Sequence, residues 1–166
     1  MIYKIRVILN IKEDVIRDFA IQKTATLENF HNLITDAFGF TGNEMASFYR
    51  SDVEWVQGEE FPLFDMSEGS NGITPMCDIT IGQVLKSKKD KLIYVYDFFN
   101  MWSFYVDVID IDFNQKGLET PSLLFSLGKA PNEAPEIKFE SQDLSENDFD
   151  EEEEDEDEFD FDAYNE

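Results

Sequence analysis

Only one cysteine, Cys77, and one histidine, His31, occur in the chain, and both scarcities narrow its chemistry. A lone thiol permits no internal disulfide and no multi-thiolate metal site. With a single imidazole, a Cys-His pair must join Cys77 to His31, and a Ser-His-Asp triad must enlist the same ring. Basic residues are scarce too, 13 Lys and Arg against 37 Asp and Glu. That balance argues against direct nucleic-acid binding, whose footprint is a face of excess positive charge. No apolar run approaches the ~20 residues of a membrane helix, and Lys4 and Arg6 interrupt the apolar start that a signal peptide needs. A reducing cytoplasm is the expected compartment. GxSxG and HExxH motifs are absent. Gly128-Lys129 also fails as a P-loop, because Ala130 replaces its Ser or Thr and Leu123 its first Gly.

What is present suits one folded domain and a charged extension. The chain has 166 residues, 42% of them apolar and 14% aromatic, including 16 Phe, enough for one core. Its net charge of -24 is uneven. Residues 141–166 hold 15 acids and no Lys or Arg, leaving 22 acids against 13 bases, or -9, on residues 1–140. So dense a run of like charge repels itself and lacks the apolar surface to offset ordering entropy, so residues 141–166 are expected to form a disordered acidic tail.

From Tyr3 to Ile11 apolar residues fall on odd positions, the period of a strand with one buried face. Lys12, Glu13 and Asp14 form a polar turn before a second strand over Val15–Ile21, giving an antiparallel hairpin. Arg17 shares the core-facing parity of that strand. It is expected either to snorkel at the sheet margin or to be a partly buried guanidinium paired with a carboxylate, for which Asp97 is one candidate. Leu27, Phe30, His31, Ile34 and Phe38 then follow helical spacing, with Thr26 as N-cap, Glu28 in the first turn and Gly39 as the stop. A hairpin followed by one main amphipathic helix packed across a sheet is similar to a β-grasp-like α+β fold with a mixed or antiparallel sheet.

Met45–Arg50 reads as a short strand, Ser51–Asp78 as a mostly irregular connection and Ile79–Leu85 as a helical turn. Tyr94, Tyr96 and Phe98 mark a central strand that contains Asp97. A turn at Phe99-Asn100-Met101, with Asn100 suited to the left-handed conformation, leads to a partner strand through Trp102, Phe104, Val106 and Val108. Apolar parity then switches at Ile109, which predicts a β-bulge near Asp107–Ile109. Gly117–Gly128 reads as a looser excursion wrapping the core.

These landmarks resemble the plasmid pRiA4b ORF-3-like family, also labelled as insertion-element passengers. The resemblance rests on Arg17 in the second strand, the Thr26-Leu27 helix start with His31, the Gly39-Phe40 helix exit, and YVYDFFNMW, which keeps Tyr94, Tyr96, Asp97, Phe98 and Trp102. It spans roughly residues 1–113. Phe99, Asn100, Phe104 and the Glu44-Met45 pair depart from residues usual in that family. The resemblance implies the fold and an association with mobile elements, but no assigned activity.

The leading functional expectation is a non-enzymatic interaction module with no cofactor, formed by residues 1–140. Its tail places Phe159, Phe161 and Tyr164 among carboxylates to meet a basic protein partner. On its apolar stripe, His31 reads as a hydrogen-bonded interface residue rather than a general base. The alternative is a metal-dependent hydrolase or nuclease in which Asp97, Asp107, Asp110 and Asp112 gather oxygen ligands. A third reading has the tail cover Lys86, Lys88, Lys89 and Lys91, the one basic cluster.

Overall fold

Alternation builds the first strand: in β1 (Ile2–Leu9), Tyr3, Ile5, Val7 and Leu9 are buried and the residues between them are half-exposed. The computed structural model describes residues 1–64 and 72–131 of the chain. β2 (Ile16–Gln22) returns antiparallel to β1. The hairpin is closed by Leu9 N donating to Val15 O at 3.0 Å.

α1 (Leu27–Phe38) follows at once and buries Leu27, Phe30, His31, Ile34, Thr35 and Phe38. Its start is set by a reciprocal cap. Asn29 N donates to Thr26 Oγ1 at 3.1 Å, and Thr26 N donates to Asn29 Oδ1 at 3.0 Å. Such a cap is worth about 1 kcal/mol because two otherwise orphaned amides find acceptors. At the other end Gly39 adopts φ 82°, and Phe40 N donates to Thr35 O at 2.9 Å, reversing the chain.

The remaining strands are β3 (Ala46–Ser51), β4 (Gln57–Pro62), β5 (Lys91–Tyr96), β6 (Trp102–Asp110) and β7 (Ser122–Leu127). A 3₁₀ turn at Met76–Asp78 and the short α2 (Ile81–Val84) precede β5. The result is an α+β fold dominated by one seven-stranded sheet in the order β4-β3-β5-β6-β1-β2-β7. All its strand pairs run antiparallel, so of the two expected sheet types it is the antiparallel one. Phe30 of α1 stacks on Phe48 at 5.5 Å and meets the edge of Phe19 at 6.1 Å, which places the core between helix and sheet. Each such ring contributes roughly 1.5–3 kcal/mol on burial.

The predicted bulge is present: Lys4 pairs with Asp110 but Ile5 with Val108, so Ile109 is the extra residue in β6. Four expectations need correction. β4 lies within the stretch read as irregular. It buries Phe61 and exposes Gln57 to Glu60, so it carries no alternating signal. β7 replaces the looser excursion; as an edge strand it exposes Leu123, Phe125 and Leu127. Asp97 lies beyond β5 rather than inside it, with φ 63°, and this break leaves Phe98 exposed on the turn. The left-handed residues of that turn are Asp97 and Met101, not Asn100. The described residues fall within one compact unit, Met1–Ala134. The expected tail, with Phe159, Phe161 and Tyr164, lies outside the described residues.

Candidate functional site

The Gly39 reversal aims the chain after α1 back across the sheet, and Phe40 lands on the aromatic end of β5 and β6. Its ring stacks on Tyr96 at 4.8 Å and meets Trp102 at 4.9 Å. The Tyr96 hydroxyl accepts a hydrogen bond from Gly42 N at 2.9 Å, fixing the loop over the strand end. Beside this cluster opens a cleft of about 590 Å³ whose wall includes Arg17, Phe40, Tyr96, Asp97, Trp102 and Lys129. Its size is typical of ligand sites.

Arg17 forms one part of the wall. It is 7% exposed, and its Nη1 donates to Ile16 O and Leu127 O, each at 2.9 Å. Nε reaches Ala37 O at 3.4 Å, and the guanidinium lies 4.9 Å from the centroid of Phe38. Arg17 therefore ties β2, β7 and the carboxyl end of α1 together, offsetting the negative end of the helix dipole. Burial lowers its pKa by penalising the cation. The ion pairs of the described residues are Arg6–Asp18, Arg50–Glu59 and Lys91–Asp107, so Arg17 has no carboxylate partner among them. Arg17 is thus buried rather than snorkelling, and its partners among the described residues are backbone carbonyls rather than Asp97.

Asp97 turns inward on its own loop. Its Oδ1 accepts from Phe99 N at 3.1 Å and Asn100 N at 3.3 Å, and its Oδ2 from Asn100 Nδ2 at 2.6 Å. These bonds hold the left-handed Asp97 in the β5–β6 turn, a conformation short polar side chains tolerate best. Asp97 and Arg17 share the cleft without pairing. β5 and β2 are separated by β6 and β1, three strand spacings or about 14 Å.

Of the sequence-predicted residues, Arg17, Gly39, Tyr96, Asp97 and Trp102 all line the cleft, together with Phe40. His31 and Tyr94 lie in the core, with His31 Nδ1 2.6 Å from the Tyr94 hydroxyl. Burial lowers the pKa of His31 and, with a smaller contribution from Tyr96, raises that of Tyr94 well above its ordinary value. Thr26 and Leu27 sit at the opposite end of the 12-residue helix, about 18 Å away along its axis. Phe98, 41% exposed, is not part of the wall.

The acids of the metal-dependent alternative are dispersed. Asp107 accepts from Lys91 Nζ at 2.7 Å, five residues along β6 from Trp102 and so about 16 Å from the turn that holds Asp97. Asp110 Oδ1 accepts from Asp112 N at 3.2 Å. Among the described residues no group of three His, Cys, Asp or Glu side chains could hold a metal ion. The same Lys91 contact divides the basic cluster: Lys86, Lys88 and Lys89 are exposed, whereas Lys91 lies over Trp55 at 5.0 Å and pairs with Asp107.

Sequence reasoning missed Lys129 in the cleft and a charged row crossing the sheet. Asp18, Arg6, Asp107 and Lys91 occupy directly paired positions on β2, β1, β6 and β5. Arg6 donates to Asp18 through Nε at 2.8 Å and Nη2 at 3.0 Å. Its pKa is raised, first by that hydrogen bonding and further by the charges of Asp18 and Asp107. The alternation of polar with apolar residues in β1, through Lys4 and Arg6, and in β6, through Ser103 and Asp107, was the available signal, but the pairing needed the register.

Comparison with known proteins adds family and fold. The model of the family described as "Plasmid pRiA4b ORF-3-like protein" matches residues 1–164, well beyond the span carried by the recognisable motifs. Among curated proteins none matches. The fold is similar to the crystal structure of a protein of unknown function from Methanosarcina mazei Go1, with TM-score 0.63 and 16% identity, covering 75% of this chain and 68% of that one. Among the described residues no helix is long and apolar enough to cross a membrane.

Proposed function

This chain belongs to the plasmid pRiA4b ORF-3-like family, and from that premise we propose that it is a cytoplasmic interaction module that recognises a protein partner and performs no covalent chemistry. The observation that carries this reading is the cleft itself. Five residues by which the family is recognisable, Arg17, Gly39, Tyr96, Asp97 and Trp102, come from three separate stretches of the sequence and share one wall. The placement of His31 supports recognition over acid-base catalysis, since the ring is bonded to Tyr94 in the core. We read the β1–β2 hairpin and α1, with its buried stripe, as a β-grasp-like opening with an amphipathic helix across the sheet.

The acidic arm completes the proposal. Fifteen acids in residues 141–166 attract a basic partner over a Debye length, and Phe159, Phe161 and Tyr164 add apolar anchors. The test is a titration of the isotopically labelled full chain with an array of Lys- and Arg-containing peptides, at low salt and at 0.5 M salt. Resonances of Phe40, Asn100 and the Trp102 indole are expected to shift together, more weakly at high salt. Shifts scattered over the surface, or none, would refute the proposal.

A further inference from the structure

The wall of the cleft also specifies what part of a partner it takes. Of the five N–H donors of Arg17, three face neutral backbone carbonyls, on Ile16, Leu127 and Ala37. The two on Nη2 have no partner among the described residues, and Nη2 is not a buried orphan. Arg17, 7% exposed as a residue and on a cleft wall, has no ion-pair partner among the described residues, so its charge is one that an incoming anion can neutralise. Lys129 adds a second cation to the wall.

A chain end is the simplest source of that anion. Behind the Arg17 side chain stand the backbones of β2 and β7, to which its Nη1 is bonded, so the protein itself backs that side of the cleft. The wall also carries acids: Asp97 and Glu44 lie at the β5–β6 turn and the loop before β3, and Asp36 precedes Ala37 in the last turn of α1. Arg17 pairs with Val7, Val7 with Val106 and Val106 with Leu92, whereas Asp97 lies five residues beyond Leu92. The two backbones are thus on the order of 20 Å apart. Side chains reaching inward leave a span of roughly 15 Å, or about four extended residues. The Phe40 ring lies between, 6.3 Å from Phe38, which the guanidinium overlies, and 4.8 Å from Tyr96, which precedes Asp97.

We infer that the cleft captures the free carboxyl terminus of its partner, with the terminal carboxylate on Arg17 and Lys129, an aromatic residue near the end against Phe40, and a basic side chain about three residues earlier at Glu44, beside the Asp97 turn. The inference rests on the interaction-module reading and narrows it to one class of ligand. It fits a basic partner, because the acidic arm meets that partner's body while the cleft reads its negatively charged end.

The test uses calorimetry on the full chain at 0.3 M salt with the peptide Arg-Ser-Gly-Phe as free acid and as carboxyl-terminal amide. The amide is the more positive of the two, so simple attraction to the acidic arm favours it. A free-acid preference reports the cation site instead. The free acid is expected to bind at least tenfold more tightly. Arg17→Gln should abolish that preference, and the surface change Lys129→Gln should reduce it about threefold. Equal binding of acid and amide, with resonance shifts in the cleft, would overturn terminus capture and leave the interaction module standing; no cleft binding by either peptide would overturn both. Should Arg17→Gln fail to fold, an unchanged preference in Lys129→Gln overturns the inference.

Discussion

His31 Nδ1 and the Tyr94 hydroxyl, 2.6 Å apart, join α1 to β5 through one buried hydrogen bond. Burial holds the imidazole below its ordinary pKa of 6.5. The unfolded chain therefore takes up the proton at a higher pH than the folded one. The stabilisation from a neutral ring is complete above about pH 6.5 and is lost as pH falls from there toward the folded-state value. Comparing thermal unfolding of the native chain and His31→Asn between about pH 7.5 and 5 isolates this contribution, since Asn can accept the tyrosine hydrogen bond but cannot titrate. The native chain should lose more stability on acidification; parallel curves would exclude His31 as the cause.

Arg6 and Asp18 should respond unequally to truncation. The Asp18 side chain is 3% exposed and that of Arg6 37%, so removing Arg6 strands a buried carboxylate, whereas removing Asp18 leaves a cation that can reach water. Arg6→Ala is expected to cost about 3 kcal/mol or more and Asp18→Asn about 1. Denaturant titrations would show the order, and a reversed order would mean that the pair does not hold Asp18 in place.

Gly39→Ala tests the helix exit. A Cβ there meets nothing within 4 Å, so the penalty is conformational, arising from φ 82°. About 1–2 kcal/mol is expected, and less for Gly39→Asn. Because Phe40 follows directly, loosening of its stack on Tyr96 should accompany the loss and be visible in near-ultraviolet circular dichroism.

Magnesium, calcium or manganese should leave the Asp97 and Asp107 resonances unmoved, because each carboxylate is already engaged, by the Asn100 side chain and by Lys91 respectively. A site-specific shift of both on metal addition would revive the hydrolase reading.

Legibility in the sequence followed burial. β1, α1 and β6 each have one face in the core, so their periodicities stand out, and the parity switch at Ile109 announces the bulge. β4 and β7 are the two edges of the sheet, and neither has the alternation that a half-buried strand would print on its residues. Parity placed Arg17 on the core face correctly, but its acceptors Ala37 O and Leu127 O lie 20 and 110 residues away. Only strand order brings them together, and strand order also carries Arg17, Gly39 and Trp102 to one cleft.

The row Asp18, Arg6, Asp107 and Lys91 lies on the side of the sheet opposite Phe19 and Phe104, the side turned from α1. Any second layer laid over that side would have to dehydrate Arg6 and Asp107, whose side chains keep 37% and 33% exposure in the middle of the row, at several kcal/mol for each ion not rehoused. The middle of that face is thereby kept hydrated, which works against the sandwich architecture a twin sheet would otherwise offer.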